Sequence, residues 1–356
     1  MRSFAPIAAQ FTLAVLLVAG ACRSQQSDEL ESQLPDLKPP RILETLDVET
    51  SPGDPVLLAY KPVGKVAWSV SLVQRSQQAR GESKATSGSR QKFTMESTLA
   101  ESGQTLWVQE MRMRNVTVEP LEGKPDKVAG ESTNAVRSAL EMVKFKVKSD
   151  ATGRVLDVSL EGTPAAPFKG MKKVVEKLVR ESAVSLPDRP VAPGESWETE
   201  SMAEADTDRT ASVVESKYNS VFLGWTECGT SPGRCAVIRT TGQFTIGGTL
   251  TGKAAGESSG TGRTDSVVVL NLEQGRVEKC GVTGTAVQRF AIKGKDGGPV
   301  FTDTLDTEAE WVLAPANAPE AKSEPAKEPD GKGAPARNPE GKGERAGKPA
   351  DKGEAR

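Results

Sequence analysis

The sequence predicts a mainly β chain, a β-rich α+β fold in which antiparallel strands run before and after one central amphipathic helix. Three observations carry this. Apolar and polar residues alternate with period two over many short segments, turn-forming residues punctuate those segments, and a single stretch changes to a 3.6-residue period. One continuous curved sheet and two packed sheets both satisfy the pattern.

The first strand series begins after Pro55. Val66, Trp68, Val70 and Leu72 fall on one face, with Lys65, Ser69, Ser71 and Gln74 in more polar surroundings, as in a half-buried antiparallel strand. A Gly/Ser/Lys/Arg-rich turn is expected over residues 80–91, followed by a strand carrying Phe93, Met95 and Leu99. Gly103 separates that strand from Leu106–Val118, where Trp107, Met111 and Met113 again alternate. Residues 120–132 read as loop, and 133–142 fit helix or strand. Val143, Phe145 and Val147 alternate with lysines, and Asp150-Ala151-Thr152-Gly153 reads as the hairpin turn before Leu156, Val158 and Leu160.

The helix is expected from Pro167 to Val184. Phe168, Met171, Val175, Leu178, Val179 and Ser182 lie on one side of the wheel, with Lys172, Lys173, Glu176, Lys177 and Arg180 largely on the other. Such a helix covers the apolar face of a sheet, and its basic side also suits a lid or a membrane-surface helix. Phe168, Met171, Val175 and Leu178 are the residues it would offer to a hydrophobic ligand beneath it.

The second series reads as strands at Val213–Trp225, Ala236–Ile246, Thr264–Leu272, Arg276–Ile292 and Val300–Leu313, with turns at Gly247-Gly248 and Gly297-Gly298. Together the two series define a β domain over residues 55–315. From Ala316 onward the chain is built almost wholly of Ala, Pro, Gly, Lys and Glu, with Lys322, Lys327, Lys332, Arg337 and Lys342 at steps of five. That composition lacks the apolar surface to offset ordering entropy, so residues 316–356 are expected to be disordered. The spaced basic residues suit contact with peptidoglycan or another anionic envelope polymer.

The other end of the chain carries an address. Arg2 precedes an apolar run, Ile7 to Val18, long enough for export and too short to span a bilayer. Ala19, Gly20 and Ala21 then lead into Cys22, which resembles a bacterial lipobox with Ala where the pattern more often has Leu. The resemblance implies removal of residues 1–21, acylation of Cys22 and attachment to a membrane through it. Arg23, rather than Asp, implies the outer membrane. The alternative is an ordinary cleaved signal followed by a chance cysteine. Residues 22–54 have a tether composition, with a reach of roughly 30 Å. Ile42 to Val48 could add an edge strand at its end.

Composition removes several function classes. With 46 basic and 48 acidic side chains and a net charge of -2, there is no broad field for nucleic acid. The chain has no histidine, so neither a Ser-His-Asp nor a Cys-His arrangement can form, and the commonest metal ligand is missing. No cofactor or metal is implied. Cys228 and Cys235 flank a turn-rich stretch between two strand-like runs, the arrangement of a disulfide clamping a hairpin. Cys280 is then a leftover thiol, a small buried strand residue or an intermolecular partner, unless the three cysteines ligate a metal together. Gly229-Thr230-Ser231-Pro232-Gly233 spells G-x-S-x-G, but it lies between predicted strands rather than before a helix, in a chain without a histidine base.

Two further stretches carry a resemblance. Leu57-Leu58-Ala59-Tyr60-Lys61-Pro62-Val63-Gly64, followed by a strand, and Leu186-Pro187-Asp188-Arg189-Pro190-Val191-Ala192-Pro193-Gly194-Glu195-Ser196-Trp197 resemble an uncharacterised family of bacterial envelope lipoproteins over residues 50–314. That family implies a strand series, a helix and a second strand series, and brings no catalytic residues. The layout is also similar to curved half-barrel lipoprotein carriers that hold acyl chains against a concave sheet. The expected function is that of a non-catalytic outer-membrane lipoprotein, periplasmic or surface-exposed, binding a hydrophobic ligand or an envelope partner. A histidine-free hydrolase using paired carboxylates, or a purely structural envelope component, are the alternatives.

Overall fold

The computed structural model describes residues 26–314 apart from 104, 122–136, 138–140, 143, 162–184, 207–209, 251–254 and 293–299. Eleven strands form one sheet: β1 (Lys65–Arg80), β2 (Ser83–Ser102), β3 (Leu106–Pro120), β4 (Lys144–Asp150), β5 (Val155–Glu161), β6 (Ser196–Asp206), β7 (Thr210–Glu227), β8 (Arg234–Leu250), β9 (Gly256–Asn271), β10 (Arg276–Ile292) and β11 (Val300–Leu313). Two short helices precede them, α1 (Gln26–Glu31) and α2 (Arg41–Thr45).

The spatial order is β5-β4-β3-β2-β1-β11-β10-β9-β8-β7-β6, so the two series make one continuous sheet rather than two packed ones. The first and last strands join them: Trp68 faces Leu313 and Val70 faces Trp311 in an antiparallel ladder. Every other pairing is between sequence neighbours. The two edges are β5 and β6, themselves consecutive in the chain, so the topology is that of an up-and-down barrel left open at one seam.

Alternation divides the sheet into an inner apolar face and an outer charged one. The register places Ile238, Val268, Cys280, Trp311, Val70 and Phe93 in one unbroken row across β8, β9, β10, β11, β1 and β2. On the opposite face of β3 and β4, Glu110 and Arg112 face Lys146 and Lys144. Each strand therefore needs apolar residues only at every second position.

The curl of the sheet follows from two backbone hydrogen bonds. Tyr60 N–H donates to Ala151 O in the β4–β5 turn at 2.8 Å, and Lys61 N–H donates to Gly275 O in the β9–β10 turn at 2.9 Å. Ala151 follows β4 and Gly275 precedes β10, strands that are five spacings apart along the sheet, about 24 Å on a flat one. Consecutive residues can reach both only if the sheet bends round to bring them together. Residues 56–61 thus form a strap across one end of the trough.

Several local expectations change. The turn expected over 80–91 shrinks to Gly81-Glu82, because Arg80 pairs with Ser83 and β2 starts there. Its first residues are polar because they are exposed, which hid the strand from a hydrophobic count. Gly247 and Gly248 lie inside β8, paired with Val213 and Ser212, rather than in a turn. The glycine-rich run has a packing reason at Gly262, where an added Cβ would come within 2.1 Å of the Phe244 ring. The second glycine turn, Gly297-Gly298, and the tail from 316 lie outside the described residues.

The stretch expected to be a tether is packed against the sheet from Leu30 onward. Leu30 and Ile42 are 3% and 4% exposed. The outer face is not wholly polar, since Val237, Val267 and Val269 make an apolar patch there, and Ile42, Leu43, Leu46 and Val48 cover it. Ile42 belongs to a helix, not to an edge strand, with Pro40 at its N-cap. The chain then runs beside β7 just where β6 has not yet begun: Glu49 N–H donates to Trp225 O at 2.7 Å, and Trp225 N–H returns to Glu49 O at 3.0 Å. Gly224, at φ 143°, permits that approach, since a Cβ there would stand 2.2 Å from Glu49 O. From this point the chain passes to the inner face and becomes the strap.

Candidate functional site

The inner face is the feature with functional potential. All five tryptophans of the chain, Trp68, Trp107, Trp197, Trp225 and Trp311, belong to it by register and packing. An unbiased sheet would divide them between faces. At the strap end the face is sealed by a packed cluster: Leu58, Leu186, Val191 and Phe222 are buried there with Ile238 and Leu270. Val56 and Val191 exchange backbone hydrogen bonds of 2.9 Å, and Leu186 N–H donates to Thr152 O at 2.8 Å, so residues 185–195, just before β6, are woven into the same plug. Trp197 fixes that linker further by donating its indole N–H to Ser185 O at 3.0 Å.

Beyond the plug, six large apolar side chains are only half-buried, beside buried neighbours such as Val70, Phe145 and Leu313. Trp68, Phe93, Met95, Met111, Met113 and Trp311 are all in this state. Methionine and aromatic side chains adapt readily to an apolar guest, through polarizable sulfur and large flat surfaces. Cys280 opposes Trp311 in this zone, and burial pushes its thiol up to about 12. Tyr60 reaches in from the strap, its phenol also raised, first by burial and then by the neighbouring Cys280.

Farther from the strap the face becomes polar. Gln74, Ser76 and Gln78 continue the inner row of β1, with Ser89 and Gln91 beside them on β2. Gln91 Nε2 donates to Gln74 Oε1 at 3.3 Å. Asp303 on β11 accepts from Ser76 Oγ at 2.7 Å and Gln78 Nε2 at 3.4 Å. Burial holds its carboxyl above the ordinary value, an effect that these two hydrogen bonds oppose.

No protein family model matches the sequence, and no curated protein does. Among solved structures the chain is similar to the Pseudomonas aeruginosa protein OccK2 (OpdF), at 7% identity and a TM-score of 0.23, covering 71% of this chain and 100% of that one. It is similar to a DUF1329 family protein from Desulfovibrio piger at 8% identity and a TM-score of 0.17, covering 71% and 86%. A third is OmpT, an outer membrane protein of Vibrio cholerae, at 9% identity and a TM-score of 0.18, covering 70% and 100%. Overlaps of this size carry no argument for this chain, and the function is argued from its own side chains.

The expected disulfide is present. Cys228 and Cys235 are bonded with Cα atoms 5.2 Å apart, and they close the loop between β7 and β8. That loop holds a network the sequence did not reveal. Glu278, 1% exposed, sits at the bulge of β10 and accepts from Ser231 Oγ at 2.8 Å, from Thr230 Oγ1, and from Asn271 Nδ2 and Arg276 Nε at 3.4 Å each. Arg276 Nη2 also donates to Ser231 Oγ at 2.9 Å. The serine of the G-x-S-x-G string is therefore engaged on both sides, in a loop flanked by strands. The only hint in the sequence was an acidic residue breaking the alternation between Val277 and Lys279.

Three carboxylates are buried among the described residues, and they lie apart. Asp265 is on the outer face, in a bidentate pair with Arg239 at 2.7 and 3.1 Å, Glu278 is under the disulfide loop, and Asp303 is on the inner face. Cys22 and the helix residues Phe168, Met171, Val175 and Leu178 lie outside the described residues.

Proposed function

We propose that the protein is a lipid-anchored component of the outer membrane, held by acylated Cys22, whose curled sheet receives a hydrophobic ligand on its inner face without acting on it chemically. The observation that carries this reading is the half-buried zone of Trp68, Phe93, Met95, Met111, Met113 and Trp311 beyond the plugged end. A sheet stabilised only by its own packing gains most by burying such side chains fully, at about 25 cal/mol per Å² of apolar surface. Half-burial of six large ones in one zone leaves that gain for a guest. A trough sealed at one end and turning polar toward the other suits an amphiphile with its chain toward the strap. The anchor is supported by the lipobox-like run Val18–Cys22, and Arg23 supports the outer membrane.

Native mass spectrometry of the full chain, extracted gently from a periplasmic expression host, tests both parts. The account expects a mature N-terminus at Cys22 carrying acyl chains, and a second, lipid-sized mass that leaves on denaturation. An unacylated chain contradicts the anchor, and a ligand-free mass that stays ligand-free after incubation with lipid extract contradicts the hydrophobic site.

A further inference from the structure

On the inner face, Asp303 lies between two glutamines. Its register partner on β10 is Gln288 and its partner on β1 is Gln78. Asp303 and Gln288 are each 3% exposed. Asp303 has its two hydrogen bonds, from Ser76 and Gln78. Gln288 has none: both Nε2 and Oε1 are shielded from solvent and unpaired. A native sheet rarely buries a whole amide in this state, because the desolvation is uncompensated. Its other cross-strand neighbour, on β9, is Gly260, which brings no side chain to the face. The strands pack closely there, since a Cβ at Gly260 would stand 2.9 Å from Val287 O, and an unsatisfied donor and acceptor meet beside a buried carboxyl.

We propose that Asp303 and Gln288 receive the head of the ligand held by the inner face, and that this head is an amine with an oxygen beside it, as in an amino alcohol. The assignment rests on the reading of that face as a hydrophobic-ligand site. The ammonium N–H groups donate to the Asp303 carboxylate and to Gln288 Oε1, and the neighbouring oxygen accepts from Gln288 Nε2. Both unpaired atoms of Gln288 are satisfied at once, and the Asp303 carboxylate gains a counter-charge. The chain of the guest then runs past Val282 and Leu72 toward Trp311, Val70 and Trp68, which lie on the same face nearer the strap. An anionic head fits badly, because it sets like charge against Asp303. Burial raises the Asp303 carboxyl, and a ligand cation beside it favours the charged form.

The test uses the full chain and three probes with one chain length: 2-(dodecylamino)ethanol, dodecanol and dodecanoic acid, each displacing a fluorescent naphthylamine dye. The amino alcohol is expected to bind at least ~10-fold more tightly than the acid, a difference that Asp303→Asn abolishes. Gln288→Leu is expected to weaken the amino alcohol several-fold while leaving dodecanol unchanged, and it reads the same site if the first variant fails to fold. Equal binding of the three probes, or a preference for the amine that survives both substitutions, overturns the head-group assignment and leaves the hydrophobic site standing. Displacement by none of the three overturns the hydrophobic site itself.

Discussion

The indole N–H of Trp68 donates to the carbonyl of Val277, 2.9 Å away and 209 residues later in the chain. Trp68 is on β1 and Val277 on β10, so the side chain reaches across β11 along the inner face. This one bond ties the junction of the two strand series to the bulge above the disulfide loop. Trp68→Phe keeps most of the ring but leaves a half-buried carbonyl without this donor, and is expected to cost about 1–2 kcal/mol. Trp68→Ala adds the lost packing, for about 3–5 kcal/mol in all. Urea midpoints at constant m-value check both, and an unchanged midpoint for Trp68→Phe removes the bond from the account.

The disulfide and Glu278 form one lock on the β7–β8 loop. The bond links residues separated by 7 in sequence, and closing so short a loop is worth about 2–3 kcal/mol on the chain-entropy account. Glu278→Ala strands Arg276 and Ser231 without their acceptor and is expected to cost about 3 kcal/mol. Because both changes free the same loop, the double variant Cys228→Ser, Glu278→Ala is expected to lose less than the sum. A double-mutant cycle in denaturant checks this, and strict additivity contradicts a shared lock.

Asp303 links stability to pH. Its carboxyl is raised in the folded state above the ordinary value of 3.8, first by burial and against the donors Ser76 and Gln78. The folded state therefore binds a proton more readily than the unfolded one, and stability falls as pH rises through the window that starts near 3.8. Asp303→Asn, neutral throughout and still able to accept from Ser76, is expected to be more stable than the native protein at pH 7. The gap closes as the pH drops toward 3.8. Paired unfolding curves across that range check the sign, and a less stable variant at pH 7 reverses it.

Cys280 is expected to be inert while the fold holds. With its thiol pushed up to about 12 by burial, almost none is thiolate at pH 8, and the thiolate is the reactive form. A disulfide reagent added to the native protein is expected to label it far more slowly than after unfolding in urea. Rapid native labelling contradicts its place among Trp311, Val268 and the strap.

Much of this fold was legible because β alternation is local. Val66, Trp68, Val70 and Leu72 announce a face by themselves, and Asp150 announces a turn because its carboxylate caps Thr152 and Arg154 N–H at 3.0 and 3.1 Å, with Gly153 at φ 80° beside it. The Cys228–Cys235 pair was legible for the same reason, from a turn-rich spacing. What could not be read was whatever depends on a distant partner. Trp68 facing Leu313 is a contact across the whole domain, and it decides one sheet against two. Ile42 looked like part of a tether because its partners Val237 and Val267 are about 200 residues away. Gly247 looked like a turn because glycine inside a strand has no local signature. The inner-face site was half legible: the tryptophans stood out, but Gln288 and Asp303 are ordinary polar residues until register sets them side by side.

The measurement that tests the inner face most directly uses its five tryptophans as reporters. 11-Bromoundecanol is titrated into the full chain while tryptophan emission is followed, with Trp68→Phe and Trp311→Phe alongside. The account predicts saturable quenching that is reversed by excess dodecanol and reduced in both variants. Quenching that rises linearly with concentration, ignores dodecanol and is the same in the variants would contradict a hydrophobic ligand site on this face.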